Sequence, residues 1–317
     1  MPQDVGHDGG QDRGPGVGLV RAFVHGRVCK PEDARISVFD RGFLYGDSVY
    51  ETVGTVSGRL FALDEHLARL ERSAERIGLR VPPRAEILRA VAATVEAAGN
   101  PESRVRVMLT RGAGRRPGQG DLDPATADDT ELVVLVSPLV APTADMYRKG
   151  VSVAVVSVHR NSPRAMDPSV KSGNYLNNVL AVGEARRAGA YEAILCAADG
   201  SLAEGASSNL FIVRAGTVRT PGLAVGILDG ITRSKVIALC AAHAIALEEG
   251  HVTPDELRAA DEAFITSATR GVLPVTQVDG APVGNGSPGP TTRRLMALYD
   301  ELTGAGSRPR ARPLEPT

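Results

Sequence analysis

Cysteine is scarce and poorly placed for cross-linking: Cys29, Cys196 and Cys240 lie far apart, with neither CxxC nor histidine-paired spacing. That excludes a disulfide framework and a structural zinc site, leaves no metal centre to expect, and points to a reducing cytoplasm. No run of about 18 apolar residues occurs, which excludes a membrane-spanning helix. Neither sign of charge dominates, with 36 Lys plus Arg against 37 Asp plus Glu and a net charge of −1. On that balance a protein that coats nucleic acid or a polybasic membrane surface is not expected. Tryptophan is absent, and 43% hydrophobic with 23% charged residues describes a soluble globular chain.

Several catalytic signatures are missing too. There is no Walker A loop, no HExxH and no GxSxG. Gly112-Ala113-Gly114 comes nearest to a dinucleotide fingerprint, but Pro117 stands where the third glycine belongs, and the segment follows a strand without opening a helix. Hydride transfer and metal hydrolysis therefore have no support. Lysine is the informative scarcity. Only Lys30, Lys149, Lys171 and Lys235 occur, so the other 32 of the 36 basic residues are arginines. Chemistry that needs a primary amine has four candidates.

The 317 residues suffice for two domains of ordinary size. Residues 1–18, rich in Asp and Gly, carry no apolar h-region and read as a flexible tail, as do residues 304–317. Domains are expected over 19–138 and 144–303, with a linker at 139–143. In the first, Asp64 is expected to cap a helix carrying Leu67, Leu70, Ala74 and Ile77, and a second helix covers Arg84–Ala98. The alternation of residues 104–110 predicts a half-buried strand with Val105, Val107 and Leu109 on one face, and 131–137 reads as a buried strand. Residues 111–129 form a polar Gly/Pro/Asp loop of a length associated with function. In the second domain, strands are expected at 151–158, 192–197, Asn209–Arg214 and Glu262–Ser267, and helices at 174–188, 231–246 and 291–302. Strands and helices mix without regular alternation, which favours α+β over a doubly wound sheet.

Six blocks carry a family resemblance. They are Asp40-Arg41-Gly42 with Gly46-Asp47-Ser48-Val49-Tyr50-Glu51; Glu65-His66-Leu67-Ala68-Arg69-Leu70; and Lys171-Ser172-Gly173-Asn174-Tyr175-Leu176-Asn177-Asn178. The others are Ala203-Glu204-Gly205-Ala206-Ser207-Ser208-Asn209; Gly226-Ile227-Leu228-Asp229-Gly230-Ile231-Thr232-Arg233; and Thr266-Ser267-Ala268-Thr269-Arg270-Gly271. In this order they resemble the fold-type IV (class IV) pyridoxal-phosphate aminotransferases: branched-chain enzymes first, with D-amino-acid aminotransferases and aminodeoxychorismate lyases as relatives. The resemblance implies a small α/β-sandwich N-terminal domain, a larger pseudo-barrel C-terminal domain and a homodimer whose subunits share the substrate pocket.

Pyridoxal 5'-phosphate needs a lysine amine, a partner for its pyridine nitrogen and an anion site for its phosphate. Lys171 ends an extended segment just before a helix, and a lysine in a chain that otherwise uses arginine suits an amine that must deprotonate. The resemblance makes it the Schiff-base lysine and proton shuttle. It places Glu204, read here as a turn residue between apolar strands, on the pyridine nitrogen. Gly230-Ile231-Thr232 opens a helix whose free N–H groups suit a dianion, although Asp229 as N-cap would compete. The resemblance adds Arg69 to the phosphate, with Ala268 or Thr269 supplying a further contact, since Ala268 holds the usual threonine slot. Tyr175 matches the tyrosine on the cofactor's phenolic oxygen; Tyr50 and Glu51 match the substrate side. Arg116 aligns with an arginine that clamps a substrate carboxylate in D-amino-acid enzymes and the lyase.

The implied activity is transfer of an amino group from an L-branched-chain amino acid to 2-oxoglutarate. The alternatives are a D-amino-acid or (R)-amine transaminase and a 4-amino-4-deoxychorismate lyase.

Overall fold

The computed structural model describes residues 19–114, 122–127 and 129–305. The expected tails lie outside these residues, apart from Gly304 and Ala305. Strands β1 (Arg21–Val24), β2 (Arg27–Cys29), β3 (Ser48–Val56), β4 (Arg59–Leu60), β5 (Ser103–Thr110) and β6 (Glu131–Pro138) form an antiparallel sheet ordered β2-β1-β6-β5-β3-β4. Three helices belong to the same stretch: α1 (Arg41–Tyr45), α2 (Leu63–Arg76) and α3 (Arg84–Ala98).

Strand β5 shows why the two layers meet. Its Val105, Val107 and Leu109 are buried against Leu67, Leu70 and Ala74 of α2 and Ile87, Ala90 and Val91 of α3. Each of the valines, leucines and the isoleucine contributes about 1.5–3 kcal/mol by leaving water. Alternation then turns Arg104 and Arg106 to the opposite face. Strand β3 carries no such signal because nearly all of it is buried. One face meets α2, and the other closes on the second sheet, where Gly54 approaches the Ala268 carbonyl. Asp64 does not cap α2. Ala62, in a left-handed conformation, occupies that position, and the Asp64 carboxylate instead accepts from Arg84 Nη2 at 2.9 Å.

The second sheet contains β7 (Val151–Val155), β8 (Glu192–Cys196), β9 (Leu202–Gly205), β10 (Asn209–Arg214), β11 (Thr217–Pro221), β12 (Leu247–Gly250), β13 (Glu262–Ser267), β14 (Gly271–Val278) and β15 (Ala281–Pro282). Its order is β12-β11-β10-β13-β14-β7-β8-β9, with β15 on β14, and the pairs β11/β12, β14/β7 and β7/β8 are parallel. Helices α4 (Ala144–Lys149), α5 (Leu176–Arg187), α6 (Ile231–Ala242), α7 (Pro254–Arg258) and α8 (Pro290–Thr303) accompany it. Phe211 and Phe264 stack at 4.8 Å in a core shared with Val236 of α6 and Leu295 of α8. Helix α6 stops at Ala242, short of the expected 246, because Ala244 turns to φ +51°. The α+β expectation holds. No helix of the described residues is long and apolar enough to cross a membrane.

Parallel neighbours such as β7 and β8 need a long crossover. This one runs through residues 156–175 and α5, and it carries Lys171. The crossover also reaches the first sheet: Tyr50 N–H donates to the Lys171 carbonyl at 2.9 Å, and Gly173 N–H to the Ser48 carbonyl at 2.8 Å. A Cβ at position 173 would strike Ser48 Oγ and crowd the Gly46 carbonyl, so glycine lets the two segments approach without moving the serine side chain.

Candidate active site

A cleft of about 670 Å³ lies where the two sheets meet, and Tyr50, Arg69, Lys171, Tyr175, Glu204, Ile231, Thr232, Ala268 and Thr269 all line it. Lys171 Nζ donates to Tyr175 Oη at 3.1 Å and stands 4.6 Å from the Tyr50 ring centre. The two tyrosine rings meet edge to face at 5.4 Å. Burial works to raise the Tyr175 phenol, but the Lys171 charge and the Tyr50 hydrogen bond outweigh it, and its pKa falls. For Tyr50 burial dominates, Tyr175 adds to it, and the pKa rises.

Glu204 is not in a turn. It is the third residue of strand β9, buried on the cleft wall, and its short, buried strand lacks the alternation that would have revealed it. Its Oε2 accepts from Leu228 N–H at 3.1 Å and from Asn209 Nδ2 at 3.4 Å. Its Oε1 lies 2.8 Å from Arg160 Nε, an ion pair in which the N–H is not aligned on the oxygen. Burial pushes the Glu204 carboxyl above its ordinary range, against the opposing charges of Arg160 and Lys171.

At the other end of the cleft, α6 begins with its first turn open. Gly230 is the N-cap, and no side chain caps it. Asp229 does not act as the cap: its carboxylate turns outward to accept from Ser234 Oγ at 3.0 Å. A Cβ on Gly230 would strike Asn209 Oδ1. Arg69 reaches this turn through Nη1, which donates to the Asp229 carbonyl at 2.6 Å.

The remaining contacts of Arg69 correct an expectation. Its Nε and Nη2 grip both oxygens of Glu51, at 2.6 and 2.8 Å, and His66 Nδ1 lies 2.7 Å from Glu51 Oε2. Glu51 therefore faces α2 and not the substrate side. Burial opposes its ionisation, but the hydrogen bonds and charge of Arg69, with His66, hold the carboxyl down to about 2. Two guanidinium N–H groups of Arg69 stay uncommitted, one on Nη1 and one on Nη2. Nearby, the Thr266 hydroxyl is buried on the cleft wall with no hydrogen-bond partner, and Thr232 Oγ1 lies 3.4 Å from Tyr299 Oη.

Arg104, Arg106 and Arg270 are not among the residues the sequence nominates for the site, yet all three line the cleft. The first two are legible as an Arg-Val-Arg alternation opposite the helix-facing valines. Arg106 lies 3.8 Å over the Tyr50 ring; its Nε has no hydrogen-bond partner, and burial lowers its pKa. Arg270 is committed, to Glu192 at 2.8 Å and to the Ser207 carbonyl at 2.7 Å, which ties the turn after β13 to β8 and the turn that follows β9. Arg116 lies outside the described residues.

An amine, a buried carboxylate and an open helix end thus surround one cleft. A family model for class IV amino-transferases matches residues 48–278. The chain belongs to the class IV aminotransferases. It is 34% identical over 284 residues to a putative branched-chain-amino-acid aminotransferase of Methanocaldococcus jannaschii, covering 89% of this chain and 96% of that one. It is 35% identical over 287 residues to a D-alanine aminotransferase of Bacillus licheniformis, covering 89% and 97%. The solved branched-chain aminotransferase of the thermophilic archaeon Thermoproteus uzoniensis, with norvaline, superposes with a TM-score of 0.81 at 33% identity, over 92% of this chain and 97% of that one.

Class IV aminotransferases share the fold-type IV architecture and are pyridoxal-phosphate-dependent transaminases, and this chain is one of them. The residues present fit that cofactor. The unpartnered Thr266 hydroxyl, the spare Arg69 donors and the open α6 turn are groups that an enclosed dianion would satisfy.

Proposed function

We propose that this aminotransferase moves the amino group of an L-branched-chain amino acid to 2-oxoglutarate, with Lys171 as its catalytic amine. The observation that supports the reading best is the Lys171–Tyr175 contact at 3.1 Å in the cleft that Glu204 closes on one side and α6 on the other. Bound through Lys171, pyridoxal phosphate supplies an electron sink that makes the substrate Cα–H acidic. The protein's residues do the rest. Glu204 faces the ring nitrogen and holds its proton. Tyr175 hydrogen-bonds the phenolic oxygen and holds the Lys171 amine at 3.1 Å. Once free, the Lys171 amine would take the proton from the substrate Cα and deliver it to C4′ of the cofactor, a general-base and general-acid role.

The phosphate is assigned to the Ile231 and Thr232 N–H groups and the spare donors of Arg69, with Ala268 and Thr269 in the facing turn. Arg106, without a carboxylate partner among the described residues, is the receptor for the distal carboxylate of 2-oxoglutarate, and Tyr50 packs under it and lines the substrate side. Leu139, Val140, Val179 and Val182 give the cleft an apolar wall for a branched side chain.

Val38 and Phe43 are 64% and 65% exposed, beside Phe39, Leu44 and Tyr45. So large an apolar stretch suits an interface, and a homodimer is the reading adopted. Cys29, Cys196 and Cys240 are all free, in keeping with a cytoplasmic setting.

Holoenzyme mixed separately with L-leucine, D-alanine and aminodeoxychorismate tests the reading. Loss of the yellow absorbance with L-leucine, and glutamate formation when 2-oxoglutarate follows, is expected. Inertness to L-leucine with rapid bleaching by D-alanine would favour the D-amino-acid reading, and pyruvate release from aminodeoxychorismate the lyase.

A further inference from the structure

Glu204 does not stand alone in its pocket. Arg160 leaves the same crossover that carries Lys171, anchored by its backbone N–H on the Cys196 carbonyl at 2.8 Å, and its guanidinium reaches Glu204 Oε1 at 2.8 Å. We propose that Arg160 is a positioning residue that keeps Glu204 ionised and oriented toward the cofactor's ring nitrogen, and so decides on which side of that contact the proton rests. The inference rests on the reading that Glu204 faces the ring nitrogen.

The geometry carries it. Glu204 is buried at the cleft wall, 6% exposed, and a carboxylate so placed neutralises itself unless a cation or hydrogen bonds oppose that. As a neutral acid it would offer a proton to the ring nitrogen where it must accept one. Its Oε2 is already held by the Leu228 N–H and Asn209, both neutral donors. The charged or titratable groups acting on it are Arg160, Lys171 and Tyr175. Lys171 cannot serve as the permanent counter-charge, because its amine must be neutral to take a proton from the substrate. Tyr175 is neutral or negative. Arg160 alone brings a positive charge that does not titrate. Its Nε is also buried without an aligned acceptor, so the side chain is held at the carboxylate by charge more than by hydrogen-bond geometry.

The test titrates cofactor-free protein with pyridoxal phosphate and with its deaza analogue, in which C–H replaces the ring nitrogen. Dissociation constants are read from the absorbance of the bound form. Arg160→Met is expected to weaken pyridoxal phosphate by about 10- to 100-fold and the analogue by less than about threefold. Arg160→Lys should restore most of the difference. In a Glu204→Gln background, Arg160→Met should change the ratio of the two constants no further. Should Arg160→Met fail to fold, Arg160→Gln, which keeps polar reach and loses charge, must show the same fall in ratio. Equal weakening of cofactor and analogue, or multiplicative effects of the Arg160 and Glu204 changes, overturns the proposal and leaves Arg160 a packing residue. If Glu204→Gln lowers the ratio and Arg160→Met does not, only the Arg160 inference fails. If Glu204→Gln itself leaves the ratio unchanged, the placement of Glu204 at the ring nitrogen fails first.

Discussion

Replacing Glu51 by glutamine tests the buried ion pair that holds Arg69 against the α6 turn. The side chain is fully buried and holds its carboxyl at about 2, against an ordinary 4.5. A separation of roughly 2.5 pH units corresponds to about 3 kcal/mol of folding stability. Because the folded value is the lower one, that stability is complete above about pH 4.5 and is lost as the pH falls toward 2. Breaking a buried pair by removing one charge costs about 3–5 kcal/mol, which agrees with the titration figure.

The assay is urea unfolding of cofactor-free wild type and Glu51→Gln at pH 7, 5 and 3. Other carboxylates also titrate over this range, so the informative quantity is the gap between the two proteins. It should be about 3 kcal/mol at pH 7 and should shrink by more than half at pH 3. A gap below about 1 kcal/mol at pH 7, or one that stays constant to pH 3, would refute the reasoning. Because Glu51 also aims Arg69 at the α6 turn, the same variant should bind pyridoxal phosphate about tenfold more weakly.

Lys171→Ala should remain folded by circular dichroism, stay colourless with pyridoxal phosphate and lose transamination by more than about a thousandfold; a yellow, active variant would move the chemistry to another lysine. Thr266→Val removes the unpartnered hydroxyl: unfolding of the cofactor-free protein should change by less than about 1 kcal/mol, while cofactor binding weakens about threefold to tenfold. Arg106→Leu should raise KM for 2-oxoglutarate about tenfold and leave the half-reaction with L-leucine within about threefold of wild type; an equal loss for both substrates would remove Arg106 from side-chain recognition.

Where one face of an element meets a core, the sequence declares it. Strand β5 alternates because its valines meet helices and its arginines do not, and α3 ends at Gly99 in a left-handed C-cap, so both are legible at their observed positions to within a residue. Where both faces are buried, the signal vanishes. Strand β3 gives no pattern to read, so nothing in the periodicity corrects the resemblance that puts Glu51 on the substrate side. Tyr50 and Glu51 are adjacent on a strand, so they point to opposite sides, one into the cleft and one toward α2. Glu204 reads as a turn residue for the same reason, its four-residue strand being buried on both sides. The open α6 turn is legible in part. Glycine-first chemistry announces the helix start, but the outward rotation of Asp229 depends on Ser234 and on the Arg69 contact with its carbonyl.

The position of Lys171 illustrates what a linear reading misses. Its side chain enters the cleft because residues 171–173 pair with Ser48 to Tyr50, more than 120 positions away. That pairing closes through two backbone hydrogen bonds, and glycine at 173 keeps it clear of the Ser48 side chain. The first sheet is therefore part of the machinery. It presents the Tyr50 ring to Lys171, supplies Arg106 above that ring, and through Glu51 holds Arg69 against the α6 turn of the second sheet. Each of these contacts crosses from one sheet to the other or depends on a strand that does. A change that loosens the β3 pairing should thus degrade cofactor affinity and substrate recognition together, even where it touches neither ligand directly.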